Sequence, residues 1–330
     1  MTPDHPKINY GKTGILIVNL GTPDSTNWLD IRKYLKEFLS DRRVIEVNPL
    51  IWQVILNLFI LTFRPSKTAK AYKEIWMEDK NMSPLRYFTE RQAEKLSNQI
   101  SNEDLIVDFA MRYGNPSIKS KIHGLQKKGC ENLIILPLYP QYAAATTATV
   151  CDEVYRTLMK MRWQPNLKII PHYESEPLYI EAIKNSILKK ISEINWKPDL
   201  IIASYHGIPK KYFDKGDPYH CYCHKTTRLI SEQYSDIDIK TTFQSRFGPQ
   251  EWLQPYTDKT FEVLPKEGKK NILVICPGFS SDCVETLEEI SIQGKESFIK
   301  SGGENFEMVP CLNDSEDHIS LLKHLVTKNL

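Results

Sequence analysis

The 330-residue sequence predicts an α/β protein of two domains, and three observations support this prediction. Short aliphatic and β-branched runs recur along the chain, segments with helical spacing separate them, and the alternation starts again near residues 166–175. Alternating strands and helices favour parallel sheets covered by helices. A chain of this length also exceeds what one small core needs, so two domains are expected.

The predicted strands are almost continuously apolar, which is typical of parallel strands buried on both faces. In chain order they cover residues 14–20, 105–113, 132–139, 167–173, 200–207, 237–243 and 271–279. The segments between them, such as 28–38 and 179–191, repeat apolar residues every three or four positions and therefore predict helices. Several strands end in polar or aromatic residues, and open α/β sheets bind ligands at the carboxyl ends of their strands.

Charge and cysteine content narrow the class of protein. The chain carries 43 Lys and Arg against 41 Asp and Glu, so it lacks the basic surplus of a nucleic-acid-binding protein. Its seven cysteines form no dense framework, and no secretory leader pattern stands at the start. We therefore expect reduced thiols, a cytoplasmic location and no nucleic-acid partner.

The most apolar segment is residues 50–63, LIWQVILNLFILTF. As a helix it is too short to cross a hydrocarbon core of about 30 Å. Its amides, Gln53 and Asn57, share one helical face, so most of the circumference is apolar. Such a helix is either buried in the core or forms a lip against a membrane or a large apolar ligand. Because Arg64 follows the segment directly, we favour the lip and expect peripheral membrane contact.

Several recognisable sites are missing from the sequence. No strand is followed by the glycine pattern of a dinucleotide site, and neither the nucleophile elbow of α/β hydrolases nor HExxH occurs. The cluster HCYCH, with His220, Cys221, Cys223 and His224, contains possible metal ligands. All four lie within five consecutive residues at the predicted start of a helix, which is poor spacing for a metal site. We therefore favour a helix start without a metal and leave metal binding open.

Two positions combine into a candidate site for metal and proton chemistry. His206 follows the strand at 200–205 within HGIP, where imidazole can ligate a metal or accept a proton. Glu285 lies in the first turn of a helix that follows the strand at 271–279. Glu288 and Glu289 stand three and four residues further on, so a regular α-helix places all three carboxylates on one face, as a path for protons or cations.

The sequence resembles the ferrochelatase family over nearly its whole length, from about residue 12 onward. In the second half the matching segments are SYHGIP, GDPY, FQSRFGPQEWLQPYTD and GFSSDCVETLEEI. In the first half they are GILIVNLGTPD, FRPSKTAKAY, SPL, FAMRYGNPSI and PLYPQYAAATT.

This resemblance implies two similar Rossmann-like lobes of chelatase type, each a parallel sheet flanked by helices, with the active-site cleft between them. The lobes are expected at residues 1–166 and 167–314, with a C-terminal helix at 315–330 returning to the first lobe. The implied reaction inserts Fe²⁺ into protoporphyrin IX and releases two protons, giving protohaem in the last step of haem biosynthesis. His206 and Glu285 are the implied metal ligands and catalytic groups, and which of them acts as base stays open.

The resemblance also assigns substrate-binding residues. Those implied near the porphyrin propionates are Arg64, Tyr72 and Ser83. Those implied to line the pocket are Asn19, Leu20, Arg112, Tyr113, Trp252 and Phe279. The segment KNMSPL departs from the family pattern, in which glycines often precede the Ser-Pro pair. The loop that holds Ser83 is therefore expected to run differently from that of the family.

No tightly bound cofactor is implied, since Fe²⁺ is a substrate. The last cysteine is Cys311 and the chain ends at Leu330, so we expect no [2Fe–2S] cluster of the kind held by a C-terminal extension. The alternatives are a chelatase for another tetrapyrrole or metal, such as coproporphyrin with iron or sirohydrochlorin with cobalt, and a non-catalytic porphyrin carrier. A carrier would not need both His206 and Glu285.

Overall fold

The residues that the structure describes form two four-stranded parallel sheets with the same internal order. The computed structural model describes residues 11–100 and 102–330. The first sheet consists of β1 (Lys12–Thr22), β2 (Leu105–Gly114), β3 (Cys130–Pro137) and β4 (Asn166–Ile169), in the order β2-β1-β3-β4. The second consists of β5 (Leu200–His206), β6 (Ile239–Gln244), β7 (Asn271–Ile275) and β8 (Asn305–Met308), in the order β6-β5-β7-β8. The predicted α/β class and its parallel strands are confirmed.

Helices cover both faces of the first sheet. They are α1 (Trp28–Leu39), α2 (Pro49–Ile55), α3 (Leu61–Ile75), α4 (Pro84–Ile100), α5 (Ile118–Lys127) and α6 (Thr147–Leu158), with a π-helix at Leu56–Ile60 between α2 and α3. Side chains of a strand alternate between its two faces. Leu16 and Val18 of β1 accordingly pack with α5 and α6, whereas Ile15 and Ile17 pack with α4.

The second sheet is covered in the same way. The helices of this half of the chain are α7 (Pro177–Glu193), α8 (Lys210–Asp214), α9 (Tyr219–Ser231), α10 (Thr257–Val263), α11 (Val284–Thr286), α12 (Lys295–Lys300) and α13 (Glu316–Thr327). A 3₁₀ turn, Leu264–Glu267, follows α10, and a π-helix, Leu287–Gly294, joins α11 to α12. Ile201 and Tyr205 of β5 pack towards α7 and α9, whereas Ile202 packs towards α10 and α12.

One hydrophobic core joins the two lobes. It runs from the α4 side of the first sheet through α7 and α13 to the α9 side of the second sheet. The C-terminal helix α13 packs on both α4 and α7. The predicted division after residue 166 needs a correction, because Asn166–Ile169 pairs with β3 and so belongs to the first sheet. Strand β8 was not predicted, since its residues, NFEM, alternate between polar and apolar and form no apolar run.

The apolar segment at 50–63 is helical, interrupted by the π-helix, and only partly buried. Leu56 and Leu61 are fully buried against α1 and α3, whereas Leu50 and Phe63 are 81% and 72% exposed. The alternative of a helix wholly buried in the core is therefore excluded. Among the described residues, no helix is both long and apolar enough to cross a membrane.

A glycine at the end of β1 sets how closely β1 and β2 can approach, and this can be tested. Gly21 has φ +113°, and a Cβ there would lie 1.8 Å from the carbonyl oxygen of Tyr113. We expect Gly21→Ala to lower the free energy of unfolding by about 3 kcal/mol, measured by denaturant titration. The control is Gly124→Ala in α5, where a Cβ meets nothing within 4 Å. Equal unfolding midpoints for both variants would contradict the expected clash.

Candidate active site

His206 and Glu285 lie on either side of the point where the strand order of the second sheet reverses. The chain passes from β5 to β6 on one side and then to β7 on the other, so the crevice opens between the carboxyl ends of β5 and β7. His206 is the last residue of β5, and Glu285 lies in α11, which follows the loop after β7. The two sequence-predicted residues therefore belong to one crevice.

The imidazole of His206 is held in one orientation. Its Nδ1 lies 2.6 Å from the carbonyl oxygen of Gly207, and because a carbonyl only accepts, Nδ1 carries the proton. The neutral ring then has its lone pair on Nε2, the atom available to bind a metal or accept a proton. Gly207 is required here, since a Cβ would lie 2.8 Å from the backbone oxygen of Gln244.

Gln244, at the end of β6, joins the two sides of the site. It pairs with His206 across the sheet, and its Nε2 donates to the backbone oxygen of Glu285 at 2.7 Å. Its Oε1 accepts from Ser204 at 2.8 Å. The sequence did not single out Gln244, although FQSRFGPQEW was among the family-like segments. Gln244 could have been identified from its position at the end of a predicted strand, because polar residues at strand ends are candidates for a ligand site.

Glu289 is a largely buried carboxylate between the sheet and the helix. It accepts from the backbone N–H of Ser245 at 2.7 Å and from the Ser245 hydroxyl at 2.5 Å. Ser245 has φ 64°, a conformation unusual for a residue other than glycine, and this strain turns both donors towards the carboxylate. Burial raises the pKa of Glu289, and the Ser245 donor and the nearby His206 partly offset that rise.

The predicted line of three carboxylates is split by the π-helix. A π turn holds more residues than an α turn, so a residue four positions on stays near the same face, whereas a residue three positions on turns away from it. Glu288 accepts from Gln293 at 2.5 Å and lies in the field of Lys67 and Glu74 on α3. Glu289 instead faces β6 and lies in the field of Glu285. The prediction of a single carboxylate face was wrong, because the sequence pattern assumed a regular α-helix.

The first lobe supplies the opposite wall of the cleft through α3. Burial lowers the pKa of the Arg64 guanidinium, with the charge of Glu285 acting in the other direction. Its Cζ also lies 4.7 Å from the ring centroid of Phe247, on the loop after β6. The phenol of Tyr72 is buried, and burial together with Glu285 raises its pKa. Arg64 and Tyr72 therefore approach Glu285 from the other lobe.

Three further predicted residues, Asn19, Leu20 and Ser83, lie at the carboxyl end of β1 and the start of α4, where hydrogen bonds and packing hold them. Asn19 donates from Nδ2 to the Thr89 hydroxyl at 3.0 Å and accepts from the N–H of Leu20 at 2.9 Å. Leu20 is partly buried between two hydrophobic clusters. Ser83 is buried and accepts from the N–H of Arg86 at 3.3 Å, so its hydroxyl caps the start of α4.

Arg112 and Tyr113 support the wall of the first lobe from behind. The guanidinium of Arg112 pairs with Asp41 and donates to the carbonyl oxygen of Thr149 at 2.8 Å. The hydroxyl of Tyr113 donates to Asp41 at 3.0 Å, and its ring has no exposed surface. Burial raises the pKa of Tyr113. The expectation that both line the pocket is corrected for Tyr113, which lies beneath its surface.

Trp252 and Phe279 lie in the second lobe near the crevice. The indole N–H of Trp252 donates to the carbonyl oxygen of Phe247 at 2.9 Å, and its ring lies close to Gly207, beside His206. Phe279 is partly exposed and packs against the cores on both faces of the second sheet. Both positions agree with a pocket wall.

The HCYCH cluster does not converge on one point. Cys223 lies on the buried face of α9. The rings of His220 and His224 lie together, with their centroids 4.4 Å apart. Burial lowers the pKa of both histidines. Within the described ranges, no group of three or more His, Cys, Asp or Glu side chains is placed to hold a metal ion.

Known proteins resemble this chain over nearly its whole length. A family model described as Ferrochelatase matches residues 12–330. A protein named Ferrochelatase from Allorhizobium ampelinum is 55% identical over 330 residues, covering 99% of this chain and 96% of that protein. Another from Francisella tularensis subsp. novicida is 51% identical over 325 residues, covering 97% of each.

Solved structures of low sequence identity share the fold. SirB from Bacillus subtilis with Fe³⁺ matches with a TM-score of 0.58 at 13% identity, covering 96% of this chain and 95% of that one. CbiX, described as the terminal enzyme for biosynthesis of siroheme in denitrifying bacteria, matches with a TM-score of 0.51 at 12% identity, covering 96% and 99%. These likenesses concern the fold alone.

The contact between Ser245 and Glu289 predicts a pH dependence of stability. Because the folded-state pKa of Glu289 is raised, its contribution is fully present below the unfolded pKa and is lost as pH rises through the folded pKa. Ser245→Ala removes a donor that lowers this pKa, so the loss should extend to higher pH. Unfolding free energies measured from about pH 4 to pH 8 should show a variant deficit that grows with pH.

The control for this measurement is Ser186→Ala, whose hydroxyl donates to the carbonyl oxygen of Ile183 and touches no carboxylate. Its effect on stability should not change with pH. A deficit of Ser245→Ala that is equally independent of pH would show that the hydroxyl does not influence Glu289.

Proposed function

The chain belongs to the ferrochelatase family, and we infer that it inserts Fe²⁺ into protoporphyrin IX, giving protohaem and two protons in the last step of haem biosynthesis. The observation that carries this proposal is the placement of His206 and Glu285 across one crevice, faced by Arg64 and Tyr72 of the other lobe. Metal insertion needs groups that bind Fe²⁺ weakly enough to release it and groups that accept two pyrrole protons. An imidazole and a carboxylate provide both.

His206 and Glu285 are the proposed metal ligands and catalytic groups. The Nδ1 contact with Gly207 leaves Nε2 of His206 with the lone pair, which suits either role. Gln244 pairs with His206 in the sheet and donates to the backbone oxygen of Glu285, so it links the two residues. Two protein ligands leave other coordination positions of Fe²⁺ open for water or pyrrole nitrogens.

Glu289 and Glu288 form the proposed route for protons or metal. Burial raises the pKa of both, which favours exchange of a proton nearer to neutral pH. Glu289 lies on the side of His206 and Ser245, and Glu288 lies towards α3. We propose that a proton or metal passes from Glu289 to Glu288, and so from the site outward. The two carboxylates lie on different faces of the π-helix.

The porphyrin is proposed to lie in the cleft between the lobes. The guanidinium of Arg64, held over Phe247, is the charge available for a propionate. Tyr72 and Ser83 are the further anchors expected from the family. The proposed walls are formed or supported by Asn19, Leu20, Arg112, Tyr113, Trp252 and Phe279.

Iron is proposed to act only as a substrate, without a resident iron–sulfur cluster. All seven cysteines lie within the described residues, and all are free thiols. Cys276, Cys283 and Cys311 are buried, and burial raises the pKa of each thiol well above its ordinary value. Thiols in such surroundings disfavour the thiolate form that a cluster requires. Analysis for iron and acid-labile sulfide in the purified protein tests this expectation.

We further propose that the protein is cytoplasmic and contacts membranes peripherally through residues 50–63. Leu50, Leu58 and Phe63 expose most of their side chains on one continuous helical segment next to Arg64. A large exposed apolar patch of this kind suits the interfacial region of a bilayer. A hydrophobic product could then leave the cleft directly into lipid.

The catalytic proposal predicts a large effect of single substitutions at the crevice. Anaerobic assays with Fe²⁺ and either protoporphyrin IX or coproporphyrin, followed by absorbance, should show metallation of one or both. His206→Ala and Glu285→Gln should each lower kcat by about 100-fold or more. His123→Ala in α5, on the far face of the first sheet, should keep the original rate. Full activity of His206→Ala would refute the assigned site.

The membrane proposal predicts that charge on the exposed segment prevents binding. Leu50→Glu should weaken association with liposomes by roughly tenfold or more, because it removes a leucine from the inserted surface. Met159→Glu is a matched control, since Met159 is 80% exposed at the end of α6 and Leu50 is 81% exposed. Flotation that is unchanged in Leu50→Glu, or lost equally in both variants, would exclude this segment as the contact.

A further inference from the structure

The chain that follows His206 is fastened to the first lobe by three residues, Tyr212, Lys215 and Asp217, whose contacts we call the clasp. Tyr212 lies in α8 and is buried. Its hydroxyl donates to the carbonyl oxygen of Val44 and accepts from the N–H of Glu46, both at 3.1 Å. The hydroxyl therefore satisfies two backbone groups of the other lobe at once.

The two other members of the clasp reinforce the same connection. Lys215 pairs with the carboxylate of Glu46 at the surface. Asp217 accepts from the N–H of Ala144, in the first lobe, at 2.8 Å and from the N–H of Tyr219 at 3.0 Å. An exposed ion pair contributes little, so the buried hydroxyl and the carboxylate carry most of the stabilisation.

The segment that receives Tyr212 is itself anchored behind the pocket wall. Asp41 accepts from Arg112 and Tyr113, and the N–H groups of Val44 and Ile45 donate to the carbonyl oxygen of Asp41 at 3.1 and 3.0 Å. Residues 41–46 thus form a rigid turn fixed to the first lobe. The same turn leads directly into α2, the start of the exposed apolar segment.

On the other side, the clasp is close in sequence and in space to the catalytic crevice. Tyr212 follows His206 by one short turn and the first residues of α8. Lys210 donates its N–H to the carbonyl oxygen of Glu251 at 2.9 Å, and Pro209 pairs with Trp252 in an isolated bridge. Movement of this segment relative to the first lobe would shift the Trp252 loop and the backbone that holds the imidazole.

We propose that Tyr212 and Asp217 are positioning residues that set the width of the cleft, and hence the distance between His206 and a porphyrin held by the first lobe. The proposal rests on the proposed function for its catalytic consequence. Loss of the clasp lowers the fraction of molecules whose lobes are correctly spaced, and apparent affinity falls by the same fraction. Bound porphyrin itself bridges the lobes, so turnover at saturation should change little.

The test compares two Tyr→Phe substitutions. Tyr212→Phe removes both contacts to the first lobe. Tyr234→Phe is the matched control, since its hydroxyl donates to the carbonyl oxygen of Lys184 at 3.0 Å within the second lobe. We expect Tyr212→Phe to raise the porphyrin KM about fivefold to tenfold with kcat changed less than twofold. Tyr234→Phe should leave both constants unchanged. Asp217→Asn, which keeps only one accepting oxygen, should shift KM in the same direction.

Hydrogen exchange of the full-length variants gives a readout that does not depend on activity. Peptides covering residues 40–48 and 207–219 should exchange faster in Tyr212→Phe than in the original protein, and Tyr234→Phe should leave them unchanged. If the original protein metallates no porphyrin, the proposed function fails while the exchange data still decide whether the clasp joins the lobes. Unchanged exchange in Tyr212→Phe overturns the clasp, and altered exchange with unchanged KM overturns its positioning role.

Discussion

The order of the strands is the constraint from which the site follows. In each sheet the first strand of the lobe pairs with the second on one side and with the third on the other. This arrangement leaves a crevice at the carboxyl ends of the first and third strands, where no helix crosses. In the second lobe these ends carry His206 and the loop leading to Glu285. The candidate site is thus located by backbone pairing before any side chain is considered.

Gln244 and Glu289, two polar residues beside His206 and Glu285, are held by hydrogen bonds. Gln244 uses both ends of its amide, one towards Ser204 and the other towards the backbone of Glu285. Glu289 receives two donors from Ser245, whose unusual backbone conformation the surrounding contacts maintain. A buried carboxylate with donors can remain ionised, while burial still shifts its titration towards neutral pH. These contacts fix the positions of Gln244 and Glu289 in the candidate site.

The two lobes are held together by two kinds of contact with different consequences. The continuous hydrophobic core through α4, α7 and α13 joins the lobes over a large area and sets their general arrangement. The clasp acts at a few hydrogen bonds next to the cleft, where small displacements change the spacing of opposite walls. Arg64 over Phe247 adds a further contact across the same cleft. Hydrogen bonds are directional, so they can define a distance that apolar packing leaves adjustable.

The sequence by itself determined the α/β class, seven of the eight strands, and the strand-end positions of His206 and the helix bearing Glu285, because buried strands and helical spacing are local patterns. It did not determine the π-helix, which turns Glu288 away from Glu285 and towards α3, since the choice between α and π turns depends on tertiary packing. Nor could it show that Tyr113 lies under the pocket surface or that Gln244, Ser245 and Tyr212 connect distant segments. Such contacts arise between residues far apart in the chain, so only the tertiary structure decides them.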